Sequence, residues 1–195
     1  MRSLYDFIIK PKGERYNNKK KVDNKELILN SEITHHQYVN RIGVILSLPS
    51  IGKTELKVGD EIIVHHNVFR RFNNIHSKEN NSRSYINKNI YTVGKDQVFA
   101  YKRNIWKPLK GYCFVKPIKS YDQFDINKEQ PLIGIMKYCD NNLQNIKSGD
   151  LVGFTPNSEY EFIIDGERLY RVLTNSISIK YEYQGQEEEY NPSWL

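Results

Sequence analysis

Few residues in this 195-residue chain have types and spacings that could do chemistry. Histidine occurs as His35-His36, His65-His66 and a lone His76, and cysteine as Cys113 and Cys139. Adjacent histidines on a strand point to opposite faces, so neither pair chelates by itself, and no nearby Cys or carboxylate has a recognised ligand spacing. Two cysteines make neither a disulfide framework nor a four-ligand zinc site, so free thiols in a reducing compartment are expected. No Ser-His-Asp order, phosphate loop or GxGxxG stands out, and neither an enzyme, a metal nor a cofactor is expected. One further cluster is basic and aromatic: Arg70, Arg71, His76, Lys78 and Arg83, with Phe69 and Phe72 interleaved. On a loop of a β protein such residues can hold single-stranded nucleic acid by phosphate contacts and stacking. Arg70, Arg71 and Arg83 are therefore candidate nucleic-acid contacts, and the competing reading is a solvated loop.

The elements that must position these residues are strands. The chain has a single alanine, Ala100, while Asn, Ile, Lys and Tyr supply 76 residues, a bias toward sheet rather than helix. Those four amino acids also have AT-rich codons. No apolar run approaches the ~20 residues of a membrane span, and the start MRSLYDFIIKPK has no signal-peptide core, so neither a membrane nor export is expected. The net charge of +6 is lopsided: residues 1–104 carry 19 basic and 10 acidic groups, and residues 105–195 carry 10 and 13.

The two parts also match each other in sequence. Ile8-Ile9-Lys10-Pro11 has a counterpart in Phe114-Val115-Lys116-Pro117, and Gly43 within RIGVI matches Gly134 within LIGIM. LKVGDEIIV, with Gly59 and Asp60, matches IKSGDLVGF, with Gly149 and Asp150. Ile90-Tyr91-Thr92-Val93 matches Leu169-Tyr170-Arg171-Val172, and Val98-Phe99-Ala100 matches Ile177-Ser178-Ile179. Five collinear blocks imply two related β domains, 1–104 and 105–195, with a junction near IWKPLKG. The first copy has about 15 extra residues before Gly43 and 11 more between Val64 and Ile90, which belong in surface loops. Within each copy, Ile62-Ile63-Val64 reads as a strand buried on both sides, and Asp165-Gly166 as a hairpin turn. In the VGD and SGD turns Gly takes positive φ and Asp is expected to bond the following amides. A small closed barrel in each half is the economical all-β fold, since closure removes strand edges.

A strand ending in Lys-Pro, a long loop, a GxV strand, a VGD block, a hairpin and a last short strand together resemble the GroES-type co-chaperonin domain, here twice over. The first copy supplies FIIKPK, RIGVIL, LKVGDEIIV, IYTV and DQVFAY; the second FVKPI, LIGIM, IKSGDLVGF, EFIIDGERLYRV and NSISIKY. The resemblance implies two tandem GroES-like barrels. It also implies that residues 13–39 are a mobile loop whose triplet Leu27, Ile28, Leu29 docks on the apical domain of a GroEL-type chaperonin. One such loop binds weakly, because ordering costs about 1–2 kcal/mol per backbone residue while each buried aliphatic side chain returns about 1.5–3. Several loops on a ring are needed.

By resemblance the protein is then a homo-oligomeric ring, a heptamer, that closes a folding chamber around unfolded clients while the partner uses ATP and Mg. Neighbours are expected to pair through the first strand, with Tyr5, Phe7 and Ile9. There are departures. Only LPSIGKTE and KYCDNNLQN stand where the family builds its roof, and the second loop, SYDQFDINKEQ, lacks an aliphatic triplet. Docking is assigned to the first loop alone. A viral member from an AT-rich genome, working in a host cytoplasm, suits these features. The alternative is a virion or nucleic-acid-binding protein that keeps the fold without lid activity. In that setting the acidic tail EEEYNPSWL, ending in Trp194-Leu195, is a disordered end or an anchor on a neighbour.

Overall fold

The computed structural model describes residues 2–17, 19–22, 25–28, 38–122, 124 and 128–191. Leu29, Ile126, Trp194 and Leu195 lie outside them, as do His35 and His36. The described residues form antiparallel strands joined by turns and two short 3-10 segments, without an α-helix. The chain divides into two compact units, Met1–Ile105 and Trp106–Leu195.

In the first unit β1 (Phe7–Pro11) is followed by a hairpin of β2 (Lys19–Val22) and β3 (Lys25–Ile28). Then come β4 (Ile42–Ser47), β5 (Glu61–Val64), a second hairpin of β6 (Arg71–Asn73) and β7 (Glu79–Asn81), β8 (Tyr85–Asn87), β9 (Ile90–Val93) and β10 (Val98–Lys102). The main sheet has the order β10-β5-β4-β1-β9-β8. The second unit contains β11 (Trp106–Pro108), β12 (Tyr112–Lys119), β13 (Glu129–Tyr138), β14 (Leu151–Phe154), β15 (Tyr160–Ile164), β16 (Glu167–Leu173) and β17 (Ile177–Tyr181). Its order, β17-β14-β13-β12-β16-β15, repeats the first strand for strand.

The register repeats as well. Pro11 faces Gly43 and Pro117 faces Gly134, and the ladders slip by a residue at Ile8/Ile9 and at Phe114/Val115. Each proline lies past the point where β9 or β16 stops pairing with its strand, so its missing N–H costs no ladder bond there. Thr92 sits opposite Ile8, and Arg171 opposite Phe114. Gly59 and Gly149 adopt φ of 91° and 93° and donate their N–H to the carbonyls of Ile45 and Met136. Asp60 and Asp150 accept from the amides of Lys57 and Lys147 at 2.8 and 2.9 Å, so each carboxylate closes its turn backward rather than onto the following amides. Each is also clamped by a cation from just beyond or within the last strand: Arg103 Nε at 2.9 Å from Asp60, and Lys180 at 2.7 Å from Asp150. Asp165 and Gly166 both take positive φ between Ile164 and its partner Glu167, as a two-residue hairpin of this kind requires.

Alternation places Phe7, Ile9, Ile62, Val64, Tyr91 and Val93 in the first core. Cys113, Val115, Met136, Val152, Phe154 and Val172 form the second. Ile62, Ile63 and Val64 are all buried. Two expectations are corrected. The paired strands form open rows rather than closed barrels, because hairpin partners β8 and β15 occupy the outer edges of β9 and β16. And the pair His65-His66 does not lie on a strand with rings on opposite faces. It follows β5 in a turn, with ring centroids 4.3 Å apart.

Candidate functional site

The insertion between β1 and β4 is built on a fixed neck. Buried Asn40 donates its side-chain amide to the carbonyls of Lys12 and Glu14, at 2.8 and 2.7 Å, and accepts from the Ile42 amide at 2.9 Å. Asn17 N–H bonds the Tyr38 carbonyl, Asn40 N–H bonds that of Arg15, and Tyr16 bridges Val39. Beyond this neck β2 and β3 pair from Lys19↔Ile28 to Val22↔Lys25. The first two residues of the triplet thus belong to a strand, and the Leu27 side chain is 51% exposed. Among the described residues β2 and β3 pair only with each other, and a two-stranded hairpin of this kind is marginally stable in water.

The first-strand residues are placed differently from the expectation. Tyr5 precedes β1 and is 67% exposed, but Phe7 and Ile9 are buried, and β1 is hydrogen-bonded along one edge to β4 and along the other to β9. Its backbone groups are used within the chain, so it cannot add a neighbour's strand. This corrects the assignment of Phe7 and Ile9 to an inter-subunit strand; Tyr5 stands ahead of the paired segment.

The three arginines part company. Arg71 has a structural role: its Nη1 pairs with Glu79 at 2.9 Å, its guanidinium lies 4.9 Å from the Tyr16 ring, and its amide donates to the Tyr16 hydroxyl at 2.7 Å. Arg70 and Arg83 instead line one pocket with Phe72, Ser82 and Ser84. Arg15 was not singled out in the sequence, yet it holds this insertion in place. It donates to the Phe69 carbonyl at 3.1 and 3.0 Å and to Asn81 at 2.8 Å, while its guanidinium lies 5.4 Å from the Tyr91 ring. Burial pushes the Tyr91 phenol up to about 12, so it stays protonated beside that cation. Only long-range contact reveals the pairing, since Arg15 and Phe69 are far apart in sequence.

No protein-family model matches the chain, and no curated protein matches it. The site is therefore read from its own geometry. Among the described residues no three His, Cys, Asp or Glu side chains converge as a metal centre would require, and no helix is long and apolar enough to cross a membrane. Cys113 is buried and Cys139 half-buried; burial, with the other sulfur close by, pushes the Cys139 thiol up to about 12. Such a thiol is a poor nucleophile at neutral pH.

Proposed function

We propose that the protein is a co-chaperonin of the GroES type, a non-enzymatic lid that engages a GroEL-type chaperonin through the β2–β3 hairpin. The observation that carries this reading is the exposed Leu27 on a hairpin whose neck is fixed by Asn40. Strand addition with alternate side chains filling apolar pockets suits a hairpin that exposes Leu27. The repeated strand order, with Lys-Pro opposite Gly in both units, supports reading the chain as two tandem domains of this type.

Because single loops bind weakly, the working form is a ring. With β1 taken up inside its own sheet, strand-mediated contact between neighbours falls to outer strands such as β8 or β15. The test is capping. The purified chain is expected to co-migrate with a GroEL-type ring only in the presence of adenine nucleotide and to slow its ATP turnover. Leu27→Asp changes an exposed side chain, so the fold should persist. Seating a carboxylate in an apolar pocket costs several kcal/mol, more than one loop's net gain, so capping should vanish. Ile28→Asp should act likewise, and Ile126→Asp in the second loop much less. A Leu27→Asp chain that caps normally removes the hairpin from the contact, and a wild-type chain that never co-migrates overturns the lid reading.

A further inference from the structure

The pocket beside β6 is lined by two arginines that the fold does not use. Three other arginines of the first unit have work to do: Arg15 holds Phe69 and Asn81, Arg71 pairs with Glu79, and Arg103 clamps Asp60. Among the described residues Arg70 and Arg83 make no ion pair of this kind; Arg70 Nε, like Arg71 Nε, is buried without a hydrogen-bond partner. No Asp or Glu lines the pocket.

The remaining lining is equally specific. The pocket, half-open to solvent, has a volume of about 420 Å³, within the range of small-molecule sites. Phe72, 42% exposed, brings an aromatic ring to the lining. Asn67 and Gln97 bring amides, which can pair with the edge of a heterocycle. The Ser82 hydroxyl donates to the Val68 carbonyl at 2.6 Å and so can only accept, leaving Ser84 as the hydroxyl donor.

We propose that this pocket binds a nucleoside monophosphate, with Arg70 and Arg83 on the phosphate and Phe72 stacked on the base. Guanidinium forks match a phosphate dianion, and an aromatic ring next to them selects a ligand with a π-face over free phosphate. A nucleic-acid strand is disfavoured, because two cations in one cavity make a single phosphate subsite rather than a track. The proposal is independent of the lid reading, since the pocket lies on the β5–β9 connection and not on the β2–β3 hairpin.

Calorimetric titration of the full chain tests it, with AMP, adenosine, inorganic phosphate and a ten-nucleotide single strand as the four probes. AMP should bind one per chain, phosphate should compete with it, and adenosine should bind more weakly than AMP. Arg83 is exposed, so Arg83→Gln should fold normally and weaken AMP by at least about tenfold, the equivalent of one charge-assisted hydrogen bond. Phe72→Leu should weaken AMP while leaving phosphate competition in place. Saturable AMP binding that Arg83→Gln does not change overturns the assignment, as does no AMP or phosphate binding at millimolar concentration. Tight, salt-sensitive binding of the oligonucleotide with no AMP binding would replace it with a single-strand site.

Discussion

Replacing the glycine that faces each strand proline by alanine should have unequal effects in the two units. A Cβ on Gly134 would lie well inside van der Waals contact with the Lys116 carbonyl oxygen and 2.6 Å from Val115 Cγ1. On Gly43 the nearest atom is the terminal methyl Ile9 Cδ1 at 2.9 Å, and the Lys10 carbonyl oxygen stands back at 3.4 Å. A methyl can turn aside. A carbonyl within the β12–β13 ladder cannot do so without disturbing the register of Lys116 with Ile135. Overpacking costs about 1–3 kcal/mol, and alanine recovers roughly 0.5–1 kcal/mol by restricting the unfolded chain. Gly134→Ala should therefore lose about 2 kcal/mol and Gly43→Ala between about 0 and 1. With urea slopes of about 1–3 kcal/mol per molar, the second unit's midpoint should fall by roughly 1–2 M and the first unit's by a few tenths. Both tryptophans, Trp106 and Trp194, fall in the second unit, so urea titration followed by tryptophan fluorescence is weighted toward it, while far-UV circular dichroism reads both. A fluorescence midpoint unchanged by Gly134→Ala, or a larger loss from Gly43→Ala, would refute the reasoning from close approach.

Two further outcomes follow from the buried titratable groups. Burial opposes ionisation of Asp60 and Asp140. The bonds from Arg103 to the first, and from the Gly111 amide and Asn142 to the second, outweigh it and hold both carboxyls below their ordinary 3.8; at Asp150 the Lys180 bond leads. Stability from groups depressed in the folded state is complete above the unfolded value and is lost as pH falls through the folded one. The thermal midpoint should therefore be steady from pH 7 to about 5 and decline below about 4, more gently in Asp150→Asn. Native protein at pH 8 should resist iodoacetamide at Cys113 and Cys139, both raised by burial, and take up two labels in urea by mass spectrometry.

Much of the scaffold was legible because it is local. Ile62-Ile63-Val64 is a strand by its apolar run, Asp165-Gly166 a turn by its residue types between two apolar runs, and the VGD and SGD blocks gave themselves away by recurring in order. What escaped depends on residues that meet only after folding. Nothing near Phe7 and Ile9 says that both edges of their strand will be taken, one by β4 and the other by β9. Arg71 reads like Arg70 until Tyr16 and Glu79 arrive beside it. Asn40 is one of 20 asparagines in a polar chain, and only its three bonds at the loop neck set it apart. The backward direction of the Asp60 and Asp150 bonds likewise depends on the three-residue turn geometry and not on residue type.

The central place of β1 bears on how the chain is made. It leaves the ribosome well ahead of β9, so one side of the strand waits until nearly the whole first unit has been synthesised. Non-local pairings of this kind are slow to form, and synthesis proceeds at only about 5–20 residues per second. Some residues after β9 is finished β12 emerges, another strand that carries Lys-Pro and sets the proline opposite a glycine. A nascent chain therefore holds two interchangeable strands competing for the same slots. Trading them, within one chain or between two on a polysome, is the misassembly to which this duplicated architecture is most exposed.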